Sequence, residues 1–344
     1  MEELLSLSLY RTIGHHLLLL LFGLSCLTGS LGVANLLRSG PLWPRCGAVL
    51  FGAVSCLFVA GFVWICWFHY QIFHALALEL PPAVANMLNQ HLADLNQGAA
   101  YGLPLYSETA PPRYLLPPWL ENEKYYFWFM CFALLALVFH RRSTQHRLRG
   151  ALALALALQV AILFFWADPF VTPLPKFFGE IAPWIAVSAS VGEKLGLFMQ
   201  LYPKMVFYYN AHYMWFHPPL LFLSYACITI TFVASLFMLA GREPAVEKVG
   251  YDSAILGFFL LTLGMLLGYP WALKAWGPNW WWDPKICSSI MMWAIYSTYL
   301  HTRLFINRPS MWYFSAILGI LCFLAMLFTF VSSFFFPGEH SFVS

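Results

Sequence analysis

Long apolar stretches separated by short polar connections run through the whole of this 344-residue chain. A helix needs about 20 mostly apolar residues to cross roughly 30 Å of hydrocarbon. Windows of that length predict about eight membrane-spanning helices, over residues 13–36, 46–73, 125–140, 148–166, 218–239, 254–273, 285–306 and 312–336. The expected fold class is therefore all-α, a polytopic helical bundle embedded in a membrane.

The connections divide residues 1–344 without breaking them into separate domains, so we expect a single membrane domain. Residues 83–96, in the first external loop (75–124), have the pattern of an amphipathic helix. A tryptophan-rich loop, 271–284, lies within the last part. Two acids before the first arginine, with no small-residue cleavage site, predict that no signal peptide is removed. The parts are, in order, two helices (1–74), an external loop (75–124), two helices (125–167), a second external loop (168–216) and four helices (217–344).

The distribution of charge predicts the orientation of the bundle. Lysine and arginine collect in the connections near residues 38–45, 140–150, 242–248 and 303–308. All four fall on one side of an eight-helix topology, and positively charged short loops face the cytoplasm. Both termini and the tryptophan-rich loop are then expected on the outer side. The chain is 61% hydrophobic and 10% charged with a net charge of +3, and it has no basic patch suited to nucleic acid, so membrane lipid is its expected surrounding.

One segment is hard to explain by packing alone. Residues 269–301 read YPWALKAWGPNWWWDPKICSSIMMWAIYSTYLH. Several flat indole rings at a membrane surface form a platform for a large planar apolar ligand, although tryptophans also collect at bilayer interfaces as an aromatic belt. The tryptophans concerned are Trp271, Trp276, Trp280, Trp281 and Trp282.

The end of the tryptophan-rich loop carries a helix start signal. Asp283 is followed by Pro284, and aspartate favours the N-cap while proline favours the first helical position. The seventh helix is therefore expected to begin there. Lys274 and Lys285 flank the loop as point charges suited to carboxylates such as haem propionates, or they extend their charged ends to the membrane surface.

Histidine is costly in hydrocarbon and is the usual nitrogen ligand of haem iron, so the positions of the eleven histidines matter. His217 stands at the outer end of the fifth helix, and Pro218 and Pro219 are expected in the first turn of that helix. His340 follows the eighth helix on the same side. Two imidazoles at one membrane face, with an aromatic shelf between their helices, form the arrangement needed to ligate a porphyrin iron from both sides.

A second pair of histidines is expected deeper in the bundle. His301 lies inside the seventh helix, about 24 Å from its outer end at a helical rise of about 1.5 Å per residue, and a buried titratable ring at that depth is a functional candidate. His140 closes the third helix at a similar depth and is the candidate partner within this chain. The alternative is that His140 is an interfacial residue beside Arg141 and Arg142.

The segments WGPNWWWDPK and WAIYSTYLHTR, with HSF near the end of the chain, resemble the WWD motif of the haem-handling cytochrome c assembly family. The resemblance covers about residues 209–344 and has CcsA/ResC-like and some CcmF/NrfE-like features. It implies that His217 and His340 are the external haem ligands and that His301 is a transmembrane haem ligand. The haem-binding loop that it implies includes Trp276, Gly277, Trp280, Trp282 and Asp283.

The resemblance also implies a function. Haem b would be presented at the outer membrane face for thioether attachment to the CxxCH motif of apocytochrome c, with this chain as a component of a holocytochrome c synthase, or haem lyase. The protein would supply positioning and redox protection, and no residue of it is expected to act as a catalytic acid, base or nucleophile. The implied partners are a CcsB-like membrane protein, the apocytochrome and its thiol–disulfide reductants. The implied location is the bacterial cytoplasmic membrane with the active face toward the periplasm, or the thylakoid equivalent.

Two positions depart from the family pattern. Ile286 stands where an acid usually follows DPK, and HPPLLF at His217 is more like the CcmF/NrfE version. Three alternative functions stay open: a haem-b electron-transfer subunit, a HemX-like regulatory membrane protein, and a transporter with an aromatic belt. Ligation by both His140 and His301 would favour the first, the outer histidines argue against the second, and the third predicts no haem absorbance.

Overall fold

The computed structural model of the chain describes residues 5–38, 40–99, 102–186, 191–278 and 280–338. The regular structure of these residues is helical, apart from an isolated antiparallel bridge between Ala77 and Arg113. A π-helical turn covers Met205–Tyr209, and short 3-10 turns cover Trp280–Trp282 and Arg303–Phe305. The α-helices are α1 (Leu7–Leu37), α2 (Pro44–Ala75), α3 (Pro82–Asn96), α4 (Glu123–Arg142), α5 (His146–Trp166), α6 (Pro175–Ala186), α7 (Val191–Lys204), α8 (Tyr213–Ala240), α9 (Pro244–Trp276), α10 (Pro284–Thr302) and α11 (Pro309–Phe335).

The helices confirm an all-α integral membrane protein. In the described ranges, α1, α2, α5, α8, α9 and α11 are long and apolar enough to cross a membrane. The expected third and seventh spans coincide with α4 and α10, which have 20 and 19 residues but carry more polar and charged side chains. The total of about eight spans and the outer location of both termini therefore stay predictions.

The long helices form two groups that meet at α8. In the N-terminal group, α1 packs against α2 and α5, and α4 packs against α2 and α5. In the C-terminal group, α9 and α11 pack against α8, and α10 packs against α9 and α11. Because α4 also packs against α8, α8 is the most enclosed span, with 67% of its apolar window buried. One end of the C-terminal group carries the tryptophan-rich loop.

The start of α8 differs from the sequence expectation. The helix begins at Tyr213, so Pro218 and Pro219 lie inside it and not in its first turn. A proline at position 218 cannot donate the usual backbone bond to the carbonyl of Met214. The indole N–H of Trp119 donates to that carbonyl instead, at 2.7 Å. A partner from a distant loop thus makes an interior proline tolerable, which the local sequence does not reveal.

The two long connections pack together into what we call the loop cap, the described residues of 76–122 and 167–212. The amphipathic helix expected near 83–96 is confirmed as α3. Asn89 exchanges hydrogen bonds with the backbone of Tyr106. Asn210 accepts from the backbone N–H of Leu115 and donates to the carbonyl of Arg113. The Asn89 bonds close the first connection on itself, and the Asn210 bonds fix it against the residues that lead into α8.

Candidate functional site

His217 is held on α8 by a close approach of α9. Its Nδ1 lies 2.6 Å from the carbonyl oxygen of Gly264, and a Cβ built on Gly268 would lie 2.6 Å from Cε1 of the imidazole. A carbonyl oxygen only accepts hydrogen bonds, so Nδ1 is the donor, and the neutral ring then carries its lone pair on Nε2. This is the tautomer that histidine needs to ligate a metal through Nε2.

Trp271 forms the wall beside this imidazole. Its ring lies 6.5 Å from that of His217, with 27° between the planes, and its indole N–H donates to the carbonyl of Phe207 at 2.9 Å. Only 6% of Trp271 is exposed. Trp276 meets it edge to face at 4.6 Å. Trp271 therefore anchors the end of α9 to the π-helical turn and supports His217, and it does not form part of an open platform.

The later tryptophans have the opposite environment. After Trp276, the chain leaves α9 at Gly277, whose φ of 76° is readily adopted by glycine. Trp280 packs against Tyr269 at 5.4 Å. Trp281 and Trp282 stack on each other at 4.3 Å and are 48% and 69% exposed. These two rings present the wide apolar faces that the sequence predicts for a planar ligand.

Asp283 is confirmed as the N-cap of α10. Its carboxylate accepts from the backbone N–H groups of Lys285 and Ile286, and Pro284 is the first helical residue. The chain beyond α11 returns to this point, because a Cβ built on Gly338 would lie 2.6 Å from Oδ2 of Asp283. Gly338, three residues beyond α11, therefore lies against the end of the tryptophan-rich loop. His340 itself lies outside the described residues.

Two lysines flank the loop as the sequence predicts. Lys274 is exposed, and its ammonium lies 5.7 Å from the centroid of the Tyr213 ring. Lys285 is half-buried in the first turn of α10. Neither position tests whether these charges pair with propionates or extend to the membrane surface.

The structure gives His301 and His140 different surroundings. His301 is exposed on α10 and donates through Nδ1 to the carbonyl of Ser297 at 2.8 Å. His140 is 5% exposed on α4, where it packs against Phe51 of α2. Because α10 packs against α9 and α11 while α4 packs against α2, α5 and α8, the two histidines belong to different helix groups.

The arginine of the YLHTR motif, Arg303, has a structural role. Its guanidinium pairs with the buried carboxylate of Glu247 and lies 4.8 Å from the centroid of the Tyr251 ring. These contacts tie the end of α10 to the start of α9, so the arginine fixes the helix that bears His301.

The loop cap supplies the elements around His217 that the sequence reasoning missed. Tyr208 lies 6.3 Å from Trp271. Burial, reinforced by the carboxylates of Glu121 and Glu180, raises the pKa of Tyr208 to about 12, so its hydroxyl stays neutral there. Glu121 accepts from the backbone N–H groups of Lys176 and Phe177 at the start of α6. Burial raises the pKa of the Glu121 carboxyl.

The sequence did contain a signal for the contact of His217 with Gly264 and Gly268, which we call the His217 clamp. Gly264 and Gly268 are spaced as GxxxG in α9, a pattern that lets two membrane helices approach closely. A Cβ on Gly264 would lie 2.8 Å from Leu221 of α8. The pattern predicts a close helix pair, but it does not say that the facing side chain is a histidine.

These features define a class: a polytopic α-helical membrane protein that holds a histidine among tryptophans at one end of its bundle. The model of the family "Cytochrome C assembly protein" matches residues 120–340. The chain belongs to this family.

Individual relatives match over a shorter stretch. The cytochrome c biogenesis protein CcsA of Synechococcus sp. (strain CC9311) is 43% identical over 63 residues, which is 18% of this chain and 21% of that protein. CcsA of Prochlorococcus marinus (strain MIT 9303) is 44% identical over 62 residues, 18% of this chain and 20% of that protein. The matches thus span about a fifth of the length of these relatives.

A solved structure shares the fold. The cytochrome c heme lyase CcmF aligns with a TM-score of 0.59 at 20% sequence identity, covering 96% of this chain and 47% of that chain. This chain therefore spans about half the length of that protein, and the likeness concerns the arrangement of helices.

Proposed function

We propose that this chain binds haem b at the tryptophan-rich end and presents it for thioether attachment to the CxxCH motif of an apocytochrome c. One observation carries the proposal: the bond from Nδ1 of His217 to Gly264 fixes a ring whose Nε2 carries the lone pair, beside the tryptophan-rich loop. His340 is the second ligand in this proposal. It follows Gly338 by two residues, which span at most about 7 Å of extended chain.

The residues present fit a haem. Imidazole is a common axial ligand of haem iron, and the exposed faces of Trp281 and Trp282 suit a porphyrin plane. Lys274 and Lys285 are cations at the rim of the same loop and would hold the propionates. Asp283 would act as a positioning residue, because its bonds to the start of α10 determine where the loop ends.

Thioether attachment needs no acid, base or nucleophile from this chain in our proposal. Each apocytochrome thiol adds across a vinyl group, forming one C–S and one C–H bond, so no group leaves and no oxidant is consumed. His217 and His340 would hold the substrate at fixed depth until the histidine of CxxCH replaces one of them. The indoles would limit access of water to the porphyrin edge and orient the vinyl groups, a proximity effect.

The transmembrane site needs a partner in this proposal. His301 is exposed on α10, and its Nδ1–H bond to Ser297 leaves Nε2 with the lone pair. Since His140 belongs to the other helix group, we propose that a CcsB-like membrane protein covers this face and supplies the second ligand. The active face would then lie toward the periplasm, or the thylakoid lumen, and the chain would act as part of a haem lyase.

Optical spectra of the purified protein test the external site. We expect His217→Ala and His340→Ala each to lower or shift the reduced haem signal and to block holocytochrome formation, with partial rescue by added imidazole. His91→Ala, an exposed histidine of α3, is the matched control and should leave both unchanged. Normal spectra and full maturation in the double variant would exclude the proposed ligation.

The transmembrane site is tested separately. We expect His301→Ala to remove a haem signal only in the complex with the partner, while Thr298→Ala, an exposed neighbour on α10, leaves it unchanged. A His301→Ala complex with an unaltered spectrum would contradict the role of His301.

A further inference from the structure

A second candidate site lies at the other end of the bundle, in the N-terminal helix group. It is a partly open cavity of about 30 Å³ between α1, α5 and the connection from α1 to α2. That volume exceeds the roughly 10–15 Å³ that one ordered water requires, and it admits a small polar group but not a porphyrin. Asn35, His140, His146 and Arg149 are among its lining residues.

Two buried side-chain nitrogens beside the cavity have no hydrogen-bond partner among the described residues. His140 is 5% exposed, and in the described part of the chain its Nδ1 has no hydrogen-bond partner. The Nε of Arg149 is buried and unpartnered in the same sense. A buried polar atom left unpaired is destabilising, so two such nitrogens beside one cavity point to a hydrogen-bonding ligand from outside the protein.

Two helix N-termini meet at the same place. Pro44 and Gly47, from the first turn of α2, and His146 and Arg149, from the first turn of α5, line the cavity. Neither helix has a side-chain cap or an acidic residue in its first turn. Helix N-termini carry partial positive charge and N–H groups directed outward, which favours anions.

The residues that line the cavity include His140, His146 and Arg149 but no Asp or Glu. Residues 4–78 and 124–167 contain no Asp or Glu. None of the arginines at this end makes an ion pair with a carboxylate within the described ranges. The arginines at this end of the bundle are Arg38, Arg45, Arg141, Arg142, Arg147 and Arg149.

Close packing of α1 and α5 forms one wall of the cavity, and exposed apolar residues are adjacent in sequence to its lining. A Cβ on Gly32 of α1 would lie 2.6 Å from the carbonyl oxygen of Gly150 of α5, which brings the first turn of α5 against Asn35. Next to the lining residues, Leu37 and Trp43 are 82% and 68% exposed. Apolar surface beside a cationic cavity suits a ligand with both an anionic head and an acyl chain.

We propose that this cavity binds the phosphate of an anionic membrane lipid. The phosphate oxygens accept from Nδ1 of His140 and from the guanidinium of Arg149, while the helix N-termini of α2 and α5 stabilise the negative charge. The acyl chains lie along the exposed apolar residues of α1 and α2. The site is independent of the haem-handling proposal, because it is formed by the other helix group.

Lipid titration followed by native mass spectrometry tests this site. The probe is phosphatidylglycerol added to the purified protein in detergent, with phosphatidylcholine as the reference lipid. We expect Arg149→Gln to weaken binding of phosphatidylglycerol by about tenfold or more, since hydrogen bonds to charged groups are among the stronger ones. Arg147→Gln removes an equal charge from an exposed neighbour and is expected to weaken it by about twofold at most.

Further variants keep the test valid if Arg149→Gln folds poorly. Arg149→Lys retains the charge, so it should bind phosphatidylglycerol better than Arg149→Gln. His140→Gln retains a hydrogen-bond donor, so it should bind the lipid better than His140→Leu. Equal weakening by Arg147→Gln and Arg149→Gln would overturn the site, because it would show only a general attraction to positive charge. Equal binding of both lipids would overturn it as well. If sodium phosphate alone stabilises the wild type but not Arg149→Gln, and the lipid adds nothing, the anion site stands and its ligand is free phosphate.

Discussion

The two halves of the tryptophan-rich segment both carry tryptophans, but in opposite environments. Trp271, on the last turns of α9, is buried, hydrogen-bonded and stacked against His217. Trp281 and Trp282, on the 3-10 turn before α10, are largely exposed and stack on each other. The first half holds His217 in place, and the second half presents exposed apolar rings. The same cluster of tryptophans therefore supports His217 at one end and presents exposed rings at the other.

The largest expected difference between the halves is in stability. Trp271→Ala removes a buried indole and its bond to Phe207, and such a change costs about 3–5 kcal/mol. Trp282→Ala removes an exposed ring, and we expect the stability to change by no more than about 0.5 kcal/mol while haem retention falls. Thermal unfolding with parallel haem spectra measures both. Equal destabilisation by the two substitutions would break the comparison.

The support half depends on the space that Gly268 provides for His217. Gly268→Ala places a methyl group 2.6 Å from Cε1 of the imidazole, and overpacking of this kind costs about 1–3 kcal/mol. The imidazole must shift to relieve this overlap, so we expect the affinity for haem to fall, by about five- to hundredfold where the whole cost falls on the haem-bound state, because each 1.4 kcal/mol is about tenfold. The control is Gly23→Ala on α1, where an added Cβ meets nothing within 4 Å. Unchanged occupancy in Gly268→Ala would show that the clamp does not position the ring.

The junction between platform and helix depends on Asp283. Asp283→Ala removes an N-cap and should destabilise the protein by about 1 kcal/mol, with a shifted haem spectrum if the loop end moves. Asp283→Asn keeps a capping oxygen and serves as the conservative variant. Calorimetry and spectra on the two variants separate the cap from the charge. Loss in both to the same extent would indicate that the negative charge, and not the cap, is what matters.

The smallest effect is expected at Ile286, the position where the family usually has an acid. Ile286 is the third residue of α10, and a carboxylate there would face the positive end of the helix, which is worth about 0.3–1 kcal/mol. The backbone N–H of Asp283 already donates to the carbonyl of Trp280, so a full capping box would gain little more. Ile286→Glu should raise the unfolding temperature slightly and leave haem spectra unchanged. A large gain in haem binding would assign the family acid a direct role.

The sequence by itself determined the class and the local signals of this protein. Long apolar windows predict membrane helices wherever they occur, since the cost of unpaired backbone in lipid allows little else. The Asp283–Pro284 cap, the amphipathic helix α3 and the tryptophan-rich loop were all readable because each depends on adjacent residues. The family resemblance rested on the same contiguous motif.

Only the tertiary structure decided how these elements meet. The helix α8 begins at Tyr213, before Pro218, and Trp119 donates to the carbonyl that Pro218 leaves unpaired. Contacts between residues far apart in the chain decide which tryptophans are buried and which are exposed. They also decide that His217 packs against Gly268 and that His140 and His301 lie in different helix groups. The physical reason is that hydropathy and capping are local energies, whereas packing depends on which faces of two distant helices come within a few ångströms of each other.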